Sequence, residues 1–193
     1  MDIETYVRTR NEFLTDEYIL GIALATRTSG ELTSPNGIDS EVLILGEQRE
    51  EAEFGLLKAL NEWFGKRRTL CLLGYGLRNY DVPLLIMKNQ KYRKSMNQPL
   101  WKLIDALQQA AHIDLYFMLK TWYGVKNLHQ AVEADAFAEL ALRRRKNLVS
   151  DDFKQKGEDI ITMWKDNRDE FIQYAEADAV DTLLIAEYIL KTR

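Results

Sequence analysis

The chain has few of the residues that cross-link or break a polypeptide: one cysteine, two histidines, three prolines and ten glycines in 193 residues. A single thiol, Cys71, cannot form an internal disulfide and fits a reducing compartment. So little proline and glycine argues against long disordered linkers, and no internal repeat or low-complexity tract is present. His112 and His129 are too far apart for metal-ligand spacing. The longest apolar run, residues 18–25, is far shorter than the roughly 20 residues a bilayer-spanning helix needs, and no charged-then-apolar leader precedes it. No membrane partner is expected. A soluble, cytoplasmic protein is, as one domain over residues 1–193, long enough to bury a full core.

A strongly basic surface is also lacking. Lysine and arginine number 26 against 30 acidic residues, for a net charge of −4. Four carboxylates, Asp2, Glu4, Asp81 and Asp178, carry that same charge, and two divalent cations would return the protein to near neutrality. The balance therefore does not exclude a polyanionic substrate.

The order of elements is legible. Residues 18–28 and 41–45 are apolar and partly β-branched, the pattern of buried strands, with turn residues between them at Gly30 and around Pro35-Asn36-Gly37. In residues 48–64, Phe54, Leu57, Leu60 and Phe64 fall at helical spacing. A short strand over residues 69–73 follows, then a mainly helical stretch broken by a strand over residues 111–115. Three strands, a helix and a strand predict an α/β sheet that begins as an antiparallel meander and gains a parallel strand through a helical crossover. Asn167 with Glu170 three residues on predicts a capped start to a last helix that runs unbroken to the end.

Three separated clusters carry the chemistry. Asp2 and Glu4, two apart on a strand, project to one side while Ile3 faces the other. Asp81 ends a strand-to-helix junction. Tyr174 and Asp178, four apart, share one face of the last helix, which Asp181 and Thr182 continue. Taken singly, each has a bland explanation: a solvated terminus, a helix N-cap ahead of Pro83, a half-buried ring beside a solvated carboxylate. Taken together, they are the oxygen-rich set that hard cations such as Mg²⁺ or Mn²⁺ require, and a two-metal centre needs several carboxylates to balance its charge.

At these residues the chain resembles the DEDD (DnaQ-like) superfamily of 3′→5′ exonucleases, and in particular the proofreading domain of family B DNA polymerases and its stand-alone relatives. Asp2-Ile3-Glu4-Thr5 is similar to their first motif, Gly74-Tyr75 with Asn79-Tyr80-Asp81-Val82-Pro83 to the second, and Tyr174-Ala175-Glu176-Ala177-Asp178 with Thr182 to the third. His112-Ile113-Asp114-Leu115 looks like the strand between the last two. The resemblance spans nearly the whole chain. It implies a ribonuclease H-like mixed sheet flanked by helices and metal-dependent 3′→5′ hydrolysis of single-stranded DNA or RNA ends. It also implies two cations, Mg²⁺ or Mn²⁺, held by Asp2, Glu4, Asp81 and Asp178, with Tyr174 as a further catalytic residue.

The tyrosine subtype is implied because the histidine of the other subtype would fall at Gln173. A tyrosine ordinarily titrates near pH 10, so at neutral pH its implied role is to orient the attacking water. Two departures stand out. Gly76 replaces an asparagine usual in the second motif, and relatives carry several apolar residues before the first motif where this chain has one. The first strand is thus expected to be incomplete, either because the start lies upstream or because the strand runs on through Thr5 to Val7. The competing expectation is a non-catalytic binding module, or a structural subunit whose partners are replication or repair proteins.

Two basic stretches, Lys88 to Lys94 around Tyr92 and Arg143 to Lys146, are expected either to grip a phosphate backbone or to form a solvated face. The tryptophans and Cys71 are expected in packing roles.

Overall fold

In the computed structural model, which describes residues 1–6, 17–67, 71–143, 149 and 153–192, the opening alternation forms a meander. Strand β1 (Asp2–Tyr6) pairs antiparallel with β2 (Tyr18–Arg27), and β2 with β3 (Ile38–Ile44). Every residue of β1 has a partner on β2, with a bulge between Glu4 and Thr5, while β2 runs on beyond Asp2↔Ala23. The first strand is therefore short but fully paired. Val7 lies outside the described residues.

Helix α1 (Glu50–Gly65) forms where helical spacing predicts it, and Phe54, Leu57, Leu60 and Phe64 are all buried on its inner face. Each fully buried side chain of this size contributes roughly 1.5–3 kcal/mol, so the stripe decides which face turns inward. The chain returns as β4 (Cys71–Gly74), which does not join the meander as expected but pairs parallel with β5 (Ala111–Asp114) in a separate two-stranded sheet. The two sheets meet at the amino terminus, where the Met1 ammonium donates to the Leu73 carbonyl at 2.8 Å. Cys71 is exposed rather than the core hydrophobe expected from its strand.

The remaining helices are α2 (Asp81–Met96), α3 (Trp101–Gln109), α4 (Leu115–Tyr123), α5 (Leu128–Glu133), α6 (Phe153–Asp166) and α7 (Arg168–Thr192). The expected cap of α7 is present: the Glu170 amide donates to Asn167 Oδ1 at 3.3 Å, and Asn167 Nδ2 donates to Glu170 Oε2 at 3.0 Å. Small residues let α7 lie close on the meander, Ala175 and Ala179 packing against Ala23. At Gly21 the fit excludes a side chain, because a Cβ would stand 2.7 Å from the Phe171 ring. Among the described residues no helix is long and apolar enough to cross a membrane.

The basic stretch after Asp81 divides, with Arg93 and Lys94 exposed as on a solvated face and Lys88 and Tyr92 turned into the core. Lys88 is buried and ion-paired with Glu53 at 2.8 Å, and Tyr92, also buried, donates to the same carboxylate. The Ile19 amide completes this buried carboxylate at 2.8 Å. Leu84, Lys88 and Tyr92 fall four apart on one face of α2, so helical spacing carries both polar groups inward to Glu53. Lys91 pairs with Glu50 and Arg143 with Glu176, while Arg144 to Lys146 lie outside the described residues. Of the tryptophans, Trp164 is core, whereas Trp101 and Trp122 are 60% and 44% exposed.

Candidate metal centre

Strand alternation places Asp2 and Glu4 on one side of β1 and sends Ile3 into the core. Helix α7 crosses that side and presents Asp178 from its buried face. One carboxylate oxygen each of Asp2, Glu4 and Asp178 lies within 4.8 Å of the others. Asp81 and Tyr174 line the same cavity of about 360 Å³, so all five predicted residues converge on it. Gln173, where the histidine subtype would carry its base, is exposed.

Three observations bear on whether these residues fit divalent cations. First, Asp81 is the opening residue of α2, one position past the N-cap Tyr80, and buried Oδ2 atoms of both Asp81 and Asp2 lack a hydrogen-bond partner among the described residues. Buried polar atoms are normally satisfied, so oxygens left unsatisfied and facing one cavity fit a cation. Second, burial pushes the Asp81 carboxyl well above the usual carboxylate range, and the charges of Asp2, Glu4 and Asp114 push it further, partly offset by the amino terminus. Positive charge at the cavity would relieve that repulsion. Third, the triplet offers only carboxylate oxygen, which suits Mg²⁺ or Mn²⁺ better than softer ions.

Residues that the motifs did not single out complete the site. Lys156 of α6 lines the cavity; burial works against its charge, but Tyr174, Glu4 and Asp2 outweigh it and raise its pKa. Asp114, at the end of β5, collects three backbone amides: Gly76 at 2.9 Å, Arg78 at 3.0 Å and Tyr116 at 3.0 Å. It thereby fastens the loop that delivers Asp81. Gly76 sits in that loop at φ +74°, a left-handed conformation that side chains disfavour. Tyr80 lines the cavity, with its hydroxyl 2.5 Å from Thr5 Oγ1 and donating to Glu17. Lys156 has no sequence signal, since it acts from a helix with no motif of its own. Asp114 lies in the strand likened to the superfamily, but its role depends on a loop 36 to 38 residues away.

No protein-family model matches the chain, and no match was found among curated proteins or solved structures.

Proposed function

We propose that the chain is a metal-dependent 3′→5′ exonuclease of the tyrosine subtype, with a ribonuclease H-like fold, acting on single-stranded nucleic-acid ends. The observation that carries this reading is the convergence of Asp2, Glu4, Asp81, Tyr174 and Asp178 on one cavity from β1, α2 and α7. The α/β architecture, with an antiparallel meander joined through Met1 to a parallel pair, supports it.

The roles follow from position. Asp2, Glu4 and Asp178 form the tight triplet, and Asp81 adds a fourth carboxylate to the same cavity. Divalent cations bound there would supply an activated water and charge stabilisation for the departing oxygen of a phosphodiester. Tyr174, buried one turn from Asp178 on α7, lines the cavity, and its hydroxyl is the group to orient the attacking water. Lys156 holds a positive charge next to that hydroxyl and to Glu4 and Asp2. Asp114 fixes the loop before Asp81, which holds this carboxylate at the cavity that the others line.

The deciding experiment incubates a 5′-labelled single strand with the protein and Mg²⁺ or Mn²⁺. Stepwise shortening from the 3′ end that EDTA abolishes is expected. Asp81→Ala and Asp178→Ala should each slow it by at least on the order of 10²-fold, since losing a ligand exceeds the 10- to 100-fold effect typical of outer-shell changes. Undiminished shortening by both variants would overturn the proposal.

A further inference from the structure

Of the basic residues of α2, Lys88 and Lys91 are paired with Glu53 and Glu50, and the exposed Arg93 and Lys94 do not line the cavity, which leaves open what guides a strand into it. A line of aromatic rings leads out of it. Tyr75 lines the cavity, and its ring meets Tyr116 edge-on with centroids 5.8 Å apart; Tyr116 in turn meets Phe117 at 5.4 Å. The line ends at the surface, where Phe117 is 52% exposed.

The rings are held in place rather than loose. The Tyr75 hydroxyl donates to the Lys126 carbonyl at 2.6 Å, and burial together with Tyr116 and Asp114 pushes its pKa up to about 12. Tyr116 lies in the first turn of α4, anchored through its amide to Asp114. Cations accompany the line. Lys120 reaches the Tyr116 hydroxyl at 3.1 Å and lies 5.3 Å from that ring's centre, and the side chains of Lys120 and Lys126 are exposed. An exposed ring face beside solvated ammonium groups is the surface that unpaired bases and their phosphates recognise, the bases by stacking and the backbone by charge. A double helix would keep its base faces covered.

Resting on the reading of the cavity as a nuclease site, we infer that Tyr75, Tyr116 and Phe117 with Lys120 form a track for single-stranded nucleic acid, in which Phe117 stacks a base upstream of the 3′-terminal nucleotide. The track should act on strands long enough to reach Phe117 and not on the shortest ones.

The test measures binding by the Asp178→Ala protein, which should not consume its ligand, to 5′-fluorescent dT2, dT12, U2 and U12 by anisotropy, with and without Phe117→Ala. Phe117 is exposed, so its truncation should leave the fold intact, which the melting temperature checks. Phe117→Ala should weaken the 12-mers roughly 5- to 100-fold and leave the dimers unchanged, while Phe117→Trp should retain binding. Lys120→Gln should reduce the salt dependence of 12-mer binding. A loss on dT12 and U12 alike marks a track blind to the sugar, and a loss on one alone identifies its strand. Unchanged 12-mer binding, or an equal loss on dimers and 12-mers, overturns the inference. The two proposals fail separately: a length-dependent loss in a protein whose unsubstituted form hydrolyses nothing leaves the track standing, whereas stepwise hydrolysis with Phe117 neutral leaves only the nuclease.

Discussion

The ammonium of Lys156 stands 6.0 Å from the centre of the Tyr174 ring, and the two side chains are hydrogen-bonded. An ammonium can only donate, so the tyrosine oxygen accepts from it while its own proton remains available to another acceptor. Such a pair can aim the hydroxyl at a water in the cavity. Tyr174→Phe keeps the ring and removes the hydroxyl, and should slow hydrolysis roughly 10- to 10³-fold, with the affinity for Mn²⁺ measured by calorimetry little changed. Lys156→Met should cost about 10- to 100-fold. Because the two residues act as one unit, the double variant should be no slower than about the worse single variant. Additive losses would separate them, and a Tyr174→Phe protein turning over at the parent rate would remove tyrosine from the mechanism.

Asp81 sets the behaviour of the metal-free protein. Its folded-state pKa is raised, by burial first and by Asp2 next, so the folded protein binds that proton more tightly than the unfolded chain does. The stability this gives is present in full below the ordinary aspartate range and is lost as pH rises through the raised value. In EDTA the melting temperature should therefore decline from acid toward neutral pH, and Asp81→Asn should flatten the decline and melt higher at pH 7. At this chain length each 1 kcal/mol shifts the midpoint by about 2–4 °C, so the difference can be resolved. Mn²⁺ should reverse the ranking, since only the aspartate is a ligand. An Asn variant that melts lower than the parent in EDTA would show that Asp81 is not repelled by its neighbours.

Most of the architecture was legible because it depends on short-range periodicity. Asp2 and Glu4 flank the inward Ile3 on a period of two, Phe54 to Phe64 recur on a helical period, and Asn167 and Glu170 mark the start of α7. What was not legible depends on where one element lands against another. Tyr92 reads as the centre of a basic surface stretch until α1 brings Glu53 against it. Lys88 belongs to the same correction, although its four-residue spacing from Leu84 and Tyr92 is a signal that the sequence does contain. At the candidate site, the five predicted residues converge, yet Lys156 and Asp114 act across 18 to 154 positions of chain, where no local pattern links cause to effect.

Asp114 offers a test of loop positioning. Its carboxylate is buried and meets three amides, two of them in the loop before Asp81. Asp114→Ala leaves those donors unpaired at a cost of about 1–3 kcal/mol each where they stay buried. Asn retains one carbonyl oxygen, which can still accept from Gly76 and Tyr116, so Asp114→Asn should destabilise less. If positioning matters, the Asn variant, folded at assay temperature, should lose kcat about tenfold or more with KM for a short strand little changed, and should need more Mn²⁺ for half-maximal rate. A kcat equal to the parent's would restrict Asp114 to a structural role.

The start of β1 can be probed by adding to it. Beyond Asp2↔Ala23, β2 continues through Arg27, and a cavity of about 510 Å³ there is lined by Met1, by residues 24–28 and by residues 71–73 of β4. Burial of the Met1 ammonium lowers its pKa, so the group that bonds the Leu73 carbonyl carries its charge at a cost. A peptide N–H would make the same hydrogen bond without a charge. Fusing about four apolar, β-branched residues ahead of Met1 should therefore supply a neutral donor, extend pairing along β2 and place side chains in the cavity. The fusion should raise the melting temperature and, by holding Asp2 and Glu4 more firmly, raise activity more with Mg²⁺ than with Mn²⁺, because Mg²⁺ demands stricter geometry. Cys71 lines the same cavity and reports occupancy directly: its alkylation by iodoacetamide should slow in the fusion protein. An added Gly-Ser-Gly-Ser segment is the control, expected to protect less and stabilise less. Equal melting temperatures with unchanged Cys71 reactivity would mean that the added residues do not enter the cavity and that the metal ligands are already as firmly held as pairing along β2 can make them.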